Sequence, residues 1–323
     1  MPAKKTTKKP AKSSLNLAPA VAVKELSSVR DFIRYAVSRF NRADLFFGHG
    51  TFTPFDEAVF LVLEGLKLPI DQLEPYYDAR LLPDEKKLLA DLVEKRVTTR
   101  KPLAYLLNKT YLQGVPFYVD DRVIVPRSYI ADLLFQDIAG ESDGLSLISD
   151  PSRITRVLDL CTGSGCLAIL ASKLFPNAVI DAIDLSKDAL AVARINVEMA
   201  GLEDIITLHH GDLFAPIHAK KYDLIITNPP YVEAELLVDM PKEYTYEPHM
   251  ALAAGEDGFD IVHRILKEAP KHLTQDGAII CEIGYGKEIL EGEYEHLPFL
   301  WLDTENSEGE VFWLTRDQMG VRA

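Results

Sequence analysis

The pattern of apolar and polar positions divides the chain into three parts. In the first part, apolar side chains recur every three or four residues between Leu26 and Phe40, which is the spacing of an amphipathic helix over about residues 24–41. Two more stripes of the same period begin after Pro54 and after Pro83, and proline is favoured in the first turn of a helix. The pattern therefore predicts an all-helical N-terminal region.

The second part alternates apolar with polar residues on both sides of Asp120-Asp121. Alternation with a period of two is typical of β-strands, and a polar pair between two such runs is typical of a hairpin turn. We therefore predict a β-hairpin within residues 102–127, with its turn at Asp120-Asp121, that links the helical region to the rest of the chain. A helix from Ser128 to about Ile138 and a loop rich in Gly, Ser and Asp follow it.

In the third part, from Arg156 onward, short apolar runs alternate with helical stripes. The predicted strands cover residues 157–160, 179–183, 205–209, 222–227 and 278–283. The predicted helices between them cover residues 166–175, 186–199 and 259–272. Two final strands, residues 299–303 and 310–315, flank a turn-rich segment and form an antiparallel hairpin. Such alternation predicts an α/β fold with a doubly wound, mostly parallel sheet, which binds ligands at the carboxyl ends of its strands.

Composition narrows the class of protein. The 323 residues are 47% hydrophobic and carry a formal charge of −14, although five lysines are concentrated in the first dozen residues. Because binding to a phosphate backbone depends on Lys and Arg, so acidic a body predicts a basic protein as partner and no direct sequence-specific DNA contact. Acidity for solubility alone is the alternative. No apolar run approaches the length of a membrane span, so no membrane partner is predicted.

The cysteines and the N-terminal tail bear on the compartment. Cys161, Cys166 and Cys281 form no CxxC pair and leave an odd number, which predicts a reducing, cytoplasmic location and no structural metal. The lysine-rich residues 1–23 predict a disordered tail. A secretory signal is disfavoured because the apolar run after the lysines is short and interrupted.

The sequence Asn228-Pro229-Pro230-Tyr231 follows the apolar run that ends at Thr227, so it lies at the rim of the predicted sheet. Prolines cannot join a helix or a central strand, so the carbonyl groups of Asn228 and Pro229 stay free to accept hydrogen bonds. The Asn228 side chain adds an amide oxygen, and Tyr231 adds an aromatic face that attracts positive charge. This set suits a planar NH2 group that becomes briefly cationic. A turn that only caps a strand would use the same residue types.

Acidic residues and glycines follow the first three strands of the α/β region. The run Asp159-Leu160-Cys161-Thr162-Gly163-Ser164-Gly165 follows the first strand, where glycine lets the backbone approach a ligand. Asp184 ends the second strand, where a carboxylate can bind ribose hydroxyls, and Asp212-Leu213 follows the third. NAD would share two of these features, but Asp159 would repel a pyrophosphate and Ala168 replaces the third glycine of the NAD fingerprint. We therefore expect a cofactor that carries an amino acid and a single nucleoside.

These motifs resemble the successive motifs of the S-adenosylmethionine-dependent methyltransferases with a seven-strand, Rossmann-like sheet. The Asn-Pro-Pro-Tyr form marks the members that methylate planar amino groups, namely glutamine amides and exocyclic base amines. Gly114-Val115-Pro116-Phe117 with residues 123–127 resembles the hairpin signature of the protein-(glutamine-N(5)) methyltransferase family. The resemblance covers about residues 25–319 and implies S-adenosyl-L-methionine as cofactor and a glutamine N5 atom as methyl acceptor.

Two stretches bear on the branch of this family. The branch that acts on peptide-chain release factors usually has Pro-Glu-Thr-Glu after the hairpin arginine, where this chain has Ser128-Tyr129-Ile130-Ala131. The branch that methylates large-subunit ribosomal protein L-three is similar to this chain at residues 39–40, 45–50, 240–244, 247–248 and 251–253. This resemblance implies a basic ribosomal protein as substrate, met before or during ribosome assembly. Release-factor methylation and N6-adenine methylation of nucleic acid stay the alternatives, the second disfavoured by the acidic body. A non-catalytic binding module would show eroded cofactor residues, and this chain does not.

The resemblance also implies a role for each matching residue and a division into domains. Catalysis is expected of Asn228, Pro229, Pro230 and Tyr231. Cofactor binding is expected of Asp159, Cys161, Thr162, Gly163, Gly165, Asp184, Asp212, Leu213 and Asn228. Substrate binding is expected of Phe117, Arg127 and Tyr231, and no residue is assigned to a metal. The expected parts are a disordered basic tail (1–23), a helical substrate-recognition domain (24–101), a linking β-hairpin (102–127) and a methyltransferase catalytic domain (128–323).

Overall fold

The computed structural model describes residues 18–138, 146–233, 235–255 and 258–320. The described residues divide into two compact units, one within residues 1–45 and 53–100 and the other within residues 46–52 and 101–323. Residues 1–17 of the predicted tail, and part of the predicted loop before the α/β region, lie outside the described residues. Within the described part of the chain, no helix is long and apolar enough to cross a membrane.

The first unit consists of helices, and its beginning differs from the prediction. The helices are α1 (Pro19–Glu25), α2 (Val29–Ala43), α3 (Pro54–Gly65) and α4 (Pro83–Thr99). The single helix predicted over residues 24–41 is wrong, because Ser28 and Asp31 form a capping box that starts a new helix at Val29. Helix α1 also covers residues that the sequence placed in the disordered tail.

A short hairpin opens the second unit after helix α5 (Leu103–Leu107). Strands β1 (Thr110–Leu112) and β2 (Val115–Phe117) pair around Gln113 and Gly114, which have φ angles of 50° and 70°. Positive φ at both central residues is the requirement of a type I′ turn, one of the two usual two-residue hairpin turns. The turn predicted at Asp120-Asp121 is therefore wrong: the Asp120 carboxylate instead accepts hydrogen bonds from the Arg122 guanidinium at 2.6 and 2.8 Å and shapes a local bend.

The rest of the second unit is a seven-stranded sheet with helices on both faces. The strands are β3 (Arg156–Leu160), β4 (Val179–Asp184), β5 (Ile206–His210), β6 (Tyr222–Thr227), β7 (Leu273–Glu282), β8 (Leu300–Thr304) and β9 (Ser307–Thr315), in the order β5-β4-β3-β6-β7-β9-β8. The helices are α6 (Tyr129–Leu133), α7 (Cys166–Leu174), α8 (Lys187–Ala200), α9 (Asp260–His272) and α10 (Lys287–Glu293). The pairs from β5 to β7 are parallel, and β9 is antiparallel to both β7 and β8, so the predicted fold class is confirmed.

The sheet's core explains why its strands have near-continuous apolar sequences. Leu224, Ile225 and Ile226 of β6 are fully buried and belong to the two hydrophobic clusters on opposite faces of the sheet, as is usual for central parallel strands covered on both sides. Strand order reverses between β3 and β6, which are neighbours in the sheet although β4 and β5 separate them in sequence. Loops that leave these two strands therefore part in opposite directions and frame a crevice.

Candidate active site

A cavity of about 430 Å³ lies at the carboxyl edge of the sheet in the second unit. Its walls come from the segments that follow β3, β4, β5 and β6, together with residues between 122 and 128 and between 248 and 253. This volume falls in the range of small-molecule sites. The cavity thus occupies the crevice that the strand order creates.

Asp159 lies in β3 beneath the cavity and is fully buried. Its Oδ2 atom accepts hydrogen bonds from the Thr162 hydroxyl at 2.6 Å and from the backbone N–H of Ala168 at 3.0 Å. Its Oδ1 atom has no hydrogen-bond partner among the described residues. Burial raises the pKa of Asp159 to about 7. A buried carboxylate with one unused oxygen is costly by itself and suits a donor or cation that arrives with a ligand.

Asp184 ends β4 and lines the cavity. Its Oδ1 accepts from the backbone N–H of Ser186 and its Oδ2 from that of Gly163, both at 2.8 Å. Burial raises the pKa of Asp184, and the two N–H groups oppose that shift. Gly163 has a φ of 55°, and a Cβ added there would meet no atom within 4 Å. The backbone angle, rather than lack of space, therefore favours glycine at this turn.

Two non-glycine residues of the cavity wall have left-handed backbones. Cys161 has a φ of 59° and Leu213 a φ of 46°, a region that side chains with a Cβ rarely adopt. Both follow strand ends and line the cavity. Asp212, next to Leu213, accepts a hydrogen bond from Arg264 Nη2 at 2.7 Å, and about half of each side chain is exposed. Such strained positions commonly cluster at ligand sites.

The loop after β6 is held from below by a buried glutamate. Asn228 Nδ2 donates to Glu282 Oε1 at 3.0 Å, and the Tyr231 hydroxyl donates to the same oxygen at 3.1 Å. Glu282 is 1% exposed, and burial raises its pKa to about 7. Since the NH2 end of Asn228 is bound to Glu282, the Oδ1 end is the one available to the cavity that Asn228 lines.

Neighbouring backbone fixes Tyr231 in place. A Cβ added at Gly284 would lie 2.7 Å from two atoms of the Tyr231 ring, so any side chain there would displace the ring. On the other side of the loop, the Val232 N–H donates to the Leu252 carbonyl at 2.9 Å. The described residues place no hydrogen bond on the Pro229 carbonyl. The loop is therefore rigidly mounted while one of its carbonyl groups stays available.

Another buried carboxylate, Glu247, binds Arg127 at the cavity wall. Its two oxygens accept from Arg127 Nη1 and Nη2 at 2.5 and 2.6 Å, and Oε1 also accepts from the Val125 N–H at 3.0 Å. The Arg127 guanidinium lies 5.4 Å from the centre of the Tyr244 ring. The Glu247 side chain is fully buried while that of Arg127 is 29% exposed. This bidentate pair fixes the direction of a cation at the cavity wall.

Most of the predicted site residues meet in this one place. The cavity is lined by Cys161, Thr162, Gly163, Asp184, Asp212, Leu213, Asn228, Pro230 and Arg127. Asp159, Gly165, Pro229 and Tyr231 are not part of the lining: Asp159 binds the lining residue Thr162, and the other three adjoin lining residues in sequence. Phe117 does not join them: it is 1% exposed and packs in the core cluster between the sheet and α7, so the structure does not support its predicted contact with substrate.

Reasoning from the sequence missed Glu282 and left Glu247 without a role. A signal for Glu282 existed, because a carboxylate directly after Ala278-Ile279-Ile280-Cys281 ends an otherwise apolar strand beside β6. Glu247 gave no such signal, since its partner Arg127 lies 120 residues earlier. Among the described residues, no group of three His, Cys, Asp or Glu side chains could hold a metal ion.

Comparisons with known proteins agree with one another. Residues 145–240 match the family described as Methyltransferase small domain. Over 290 residues, 90% of this chain and 91% of the relative, the chain is 58% identical to the ribosomal protein uL3 glutamine methyltransferase of Bradyrhizobium diazoefficiens. It is 50% identical over 300 residues to the protein of the same name in Burkholderia pseudomallei, which covers 90% of this chain and 95% of the relative.

Solved structures are more distant. The crystal structure of a methyltransferase from Pyrococcus furiosus aligns with a TM-score of 0.44 and 18% identity, covering 69% of this chain and 97% of that one. The family assignment therefore rests on the two sequence relatives.

Proposed function

The chain belongs to the ribosomal protein uL3 glutamine methyltransferases, and on this premise we propose that it transfers a methyl group from S-adenosylmethionine to the N5 atom of a glutamine in uL3. The observation that carries the proposal is the direction of the Asn228 amide, whose NH2 end is bound to Glu282. An amide oxygen held toward the cavity is an acceptor for a second NH2 group. A glutamine side chain presents such a group.

The acidic side chains around the cavity suit S-adenosylmethionine. Asp159 has an unused, fully buried oxygen that suits the cationic amino group of the cofactor, either directly or through the turn above it. Asp184 is fixed by two backbone N–H groups and keeps acceptor capacity for ribose hydroxyls. When bound, the cofactor would supply a methyl group on a cationic sulfur, which becomes a neutral thioether as the S–C bond breaks and the N–C bond forms.

The chain's own residues would direct the glutamine nitrogen. An amide nitrogen is a poor nucleophile because its lone pair is delocalised, so the site must favour the pyramidal form over the planar one. Asn228 Oδ1 and the Pro229 carbonyl can each accept one hydrogen of the NH2 group, which turns the lone pair toward the methyl group. After transfer the nitrogen releases one proton to solvent. Fixed acceptors of this kind act mainly through position and need no strong general base.

Arg127 in the cavity lining, and Tyr231 next to the lining residue Pro230, would meet the substrate. The Tyr231 ring is fixed by Gly284 and Glu282, and its face favours the positive charge that develops on the nitrogen. Arg127 keeps part of its guanidinium exposed at the cavity wall and can bind a backbone carbonyl beside the glutamine. Both roles are tested by a rise in the KM for uL3 in Arg127→Lys and a fall in kcat in Tyr231→Ala. Unchanged constants in either variant would remove that residue from the proposed contact with the substrate.

The helical unit would select the protein substrate. Phe55 on α3 and Leu88 on α4 are exposed apolar side chains, 48% and 45% exposed, in a unit that contributes no residue to the cavity. Replacing both with Ser should raise the KM for uL3 and leave cofactor affinity unchanged. An unchanged KM would remove these two positions from the substrate surface.

The acidic chain suits a basic ribosomal protein that is met in the cytoplasm, before or during ribosome assembly. Its cysteines are free thiols, in keeping with a reducing compartment. Free uL3 and assembled large subunits should be compared as substrates. Equal rates on both would contradict the proposed timing.

The decisive experiment offers the full-length protein three substrates in parallel with S-adenosylmethionine: purified uL3, a peptide-chain release factor, and adenine-containing duplex DNA. We expect tandem mass spectrometry to find one added methyl group on a glutamine of uL3 and little transfer to the others. Rapid methylation of the release factor or of adenine, with none of uL3, would replace the proposed function by that alternative.

A further inference from the structure

Glu282 occupies a position that the methyl transfer described above does not use directly. It is the last residue of β7, and in the register of the parallel pair Cys281 lies opposite Thr227, so Glu282 lies beside Asn228. Burying a carboxylate is costly unless its oxygens are hydrogen-bonded. The structure gives it no ion pair within the described residues, and its four hydrogen-bond donors are all neutral.

The two oxygens of Glu282 serve different segments. Oε2 accepts from the Ser128 hydroxyl at 2.6 Å and from the Tyr129 N–H at 3.0 Å, at the start of α6. Oε1 accepts from Asn228 Nδ2 and from the Tyr231 hydroxyl. The carboxylate therefore joins the start of α6 to the side chains of Asn228 and Tyr231 in the loop after β6.

This arrangement decides which end of the Asn228 amide faces the cavity. The oxygen and nitrogen ends of an amide are almost equal in size, so packing alone cannot distinguish them. An ionised carboxylate accepts hydrogen bonds and donates none, so Glu282 binds only the NH2 end. A reversed Asn228 would present two hydrogens to the NH2 group of the target and could not orient it.

We propose that Glu282 is a positioning residue of the methyl transfer, which fixes the direction of the Asn228 amide and of the Tyr231 ring so that Asn228 Oδ1 meets the target nitrogen. This inference rests on the proposed function. Glu282 lies outside this loop and does not line the cavity, yet it would fix the orientation of the loop's two polar side chains.

The ionisation of Glu282 supports the same geometry. Protonation would turn one acceptor position into a donor. The Tyr129 N–H can only donate, and the Asn228 amide or a hydroxyl of Ser128 or Tyr231 would have to reverse, so the network in this structure requires the charged carboxylate. Burial raises the pKa of Glu282 to about 7. The titratable groups around it are Cys281 on β7, Tyr129 on α6, Glu310 on β9, Tyr231 in the loop after β6, and Arg127 in the cavity lining. As pH falls through about 7 the network loses an acceptor, and kcat at saturating cofactor should fall with it.

The test variant is Glu282→Gln, which keeps the size of the side chain. Its new NH2 group cannot face the Tyr129 N–H, which only donates. It can face Tyr231, whose hydroxyl also accepts, and Asn228, which can reverse. We therefore expect a folded protein with a reversed Asn228, a kcat lowered about tenfold to a hundredfold, and cofactor affinity within about threefold of the native chain.

The matched control is Glu310→Gln. Glu310 lies on the neighbouring strand β9, is 7% exposed, and its pKa is likewise raised by burial. No hydrogen bond joins its side chain to Asn228 or Tyr231 in the described part of the chain. The control removes the same unit of charge beside the site without touching the loop, so its kcat should stay within about twofold of native.

A paired exchange separates positioning from a general structural role. Asn228→Asp places a carboxylate against Glu282, so this variant should be slow because like charges meet. In the double variant Asn228→Asp/Glu282→Gln, the new NH2 donates to one aspartate oxygen while the other oxygen faces the target as an acceptor. We expect the double variant to exceed Glu282→Gln in kcat by about tenfold. If Glu282 had only a structural role, the added Asn228→Asp substitution would not restore kcat.

The outcomes separate this inference from the function on which it rests. A native chain that leaves uL3 unmethylated overturns both. A native chain that methylates uL3, with a folded Glu282→Gln variant that turns over equally fast, overturns the positioning role alone, as does a double variant no faster than Glu282→Gln. Should Glu282→Gln fail to fold, the native kcat decides: a flat profile between about pH 6 and about pH 8 contradicts the inference.

Discussion

Two buried carboxylates, Asp159 and Glu282, lie under neighbouring parts of the same cavity and differ in how far their hydrogen bonds are completed. Burial raises the pKa of each to about 7. Glu282 has a donor pair on each oxygen, whereas Asp159 has donors on Oδ2 and none among the described residues on Oδ1. The completed carboxylate holds Asn228 and Tyr231, the side chains proposed to act in the transfer, and the incomplete one keeps an acceptor for the proposed cofactor.

The difference follows from what each carboxylate must do. An unpaired buried acceptor destabilises the fold, so it is retained where a ligand completes it. A fully bonded carboxylate cannot accept further partners and acts through the groups that it already binds. In this site, affinity for the cofactor and the rate of transfer should therefore depend on different acidic residues.

The largest expected effect comes from the side chain that Glu282 holds. Asn228→Ala removes an acceptor whose bond strengthens as the target nitrogen becomes pyramidal, so kcat should fall about a hundredfold to a thousandfold. Affinity for cofactor and for uL3 should change far less. Single-turnover rates and calorimetric titrations measure the two quantities separately. Undiminished turnover would return the loop from Asn228 to Tyr231 to a turn that only ends a strand.

An intermediate effect on stability and on the KM for uL3 is expected from Glu247, the partner of Arg127. Glu247→Gln leaves the Arg127 guanidinium without its bidentate carboxylate, and breaking a buried pair of this kind lowers the free energy of unfolding by about 3 kcal/mol. The KM for uL3 should rise as Arg127 loses its fixed direction. Denaturant unfolding and initial rates test both, with Glu198→Gln, an exposed carboxylate on α8, as the control. Equal stability of the two variants would show that the pair is not structural.

The smallest effect should come from Arg264. Its ion pair with Asp212 joins two half-exposed side chains, and pairs of this kind contribute little to stability and are screened by salt. Arg264→Ala should therefore change cofactor affinity by no more than about twofold at physiological salt. A tenfold or greater loss of cofactor affinity would mean that Arg264 itself contacts the cofactor. Arg264 would then be a further cation at the cavity, in addition to Arg127.

Local sequence was sufficient where local chemistry decided the structure. Residues 222–227 were predicted as a strand with the bounds that β6 has, because that run is apolar and ends at a proline pair. The hairpin turn was misplaced because positive φ at Gln113 and Gly114 is a weaker signal in sequence than two adjacent aspartates. The helix break before Val29 depends on the reciprocal hydrogen bonds of Ser28 and Asp31. The apolar stripe continues across this break, so the stripe alone did not reveal it.

The same limit of sequence-based prediction applies to contacts in the site between residues that are far apart in the chain. The residues that follow β3, β4 and β5 could be predicted because strand ends of a parallel sheet share one edge. The supports of the loop after β6 could not: Glu282 lies 54 residues after Asn228, and Arg127 and Glu247 lie 120 residues apart. Their pairing is set by strand order and packing, which a pattern of apolar positions does not encode.

The division of roles between the two carboxylates is tested most directly by measuring cofactor affinity and kcat for Asp159→Asn and Glu282→Gln side by side. Asp159→Asn should weaken cofactor binding about tenfold to a hundredfold. Because burial holds the folded pKa of Asp159 above its unfolded value, the ionised carboxylate destabilises the cofactor-free fold above about pH 7, so this variant should also melt higher there.

Glu282→Gln should show the converse, with native cofactor affinity and a lowered kcat. We therefore expect the two variants to change different constants. Two variants that lower affinity and kcat in the same proportion would contradict it.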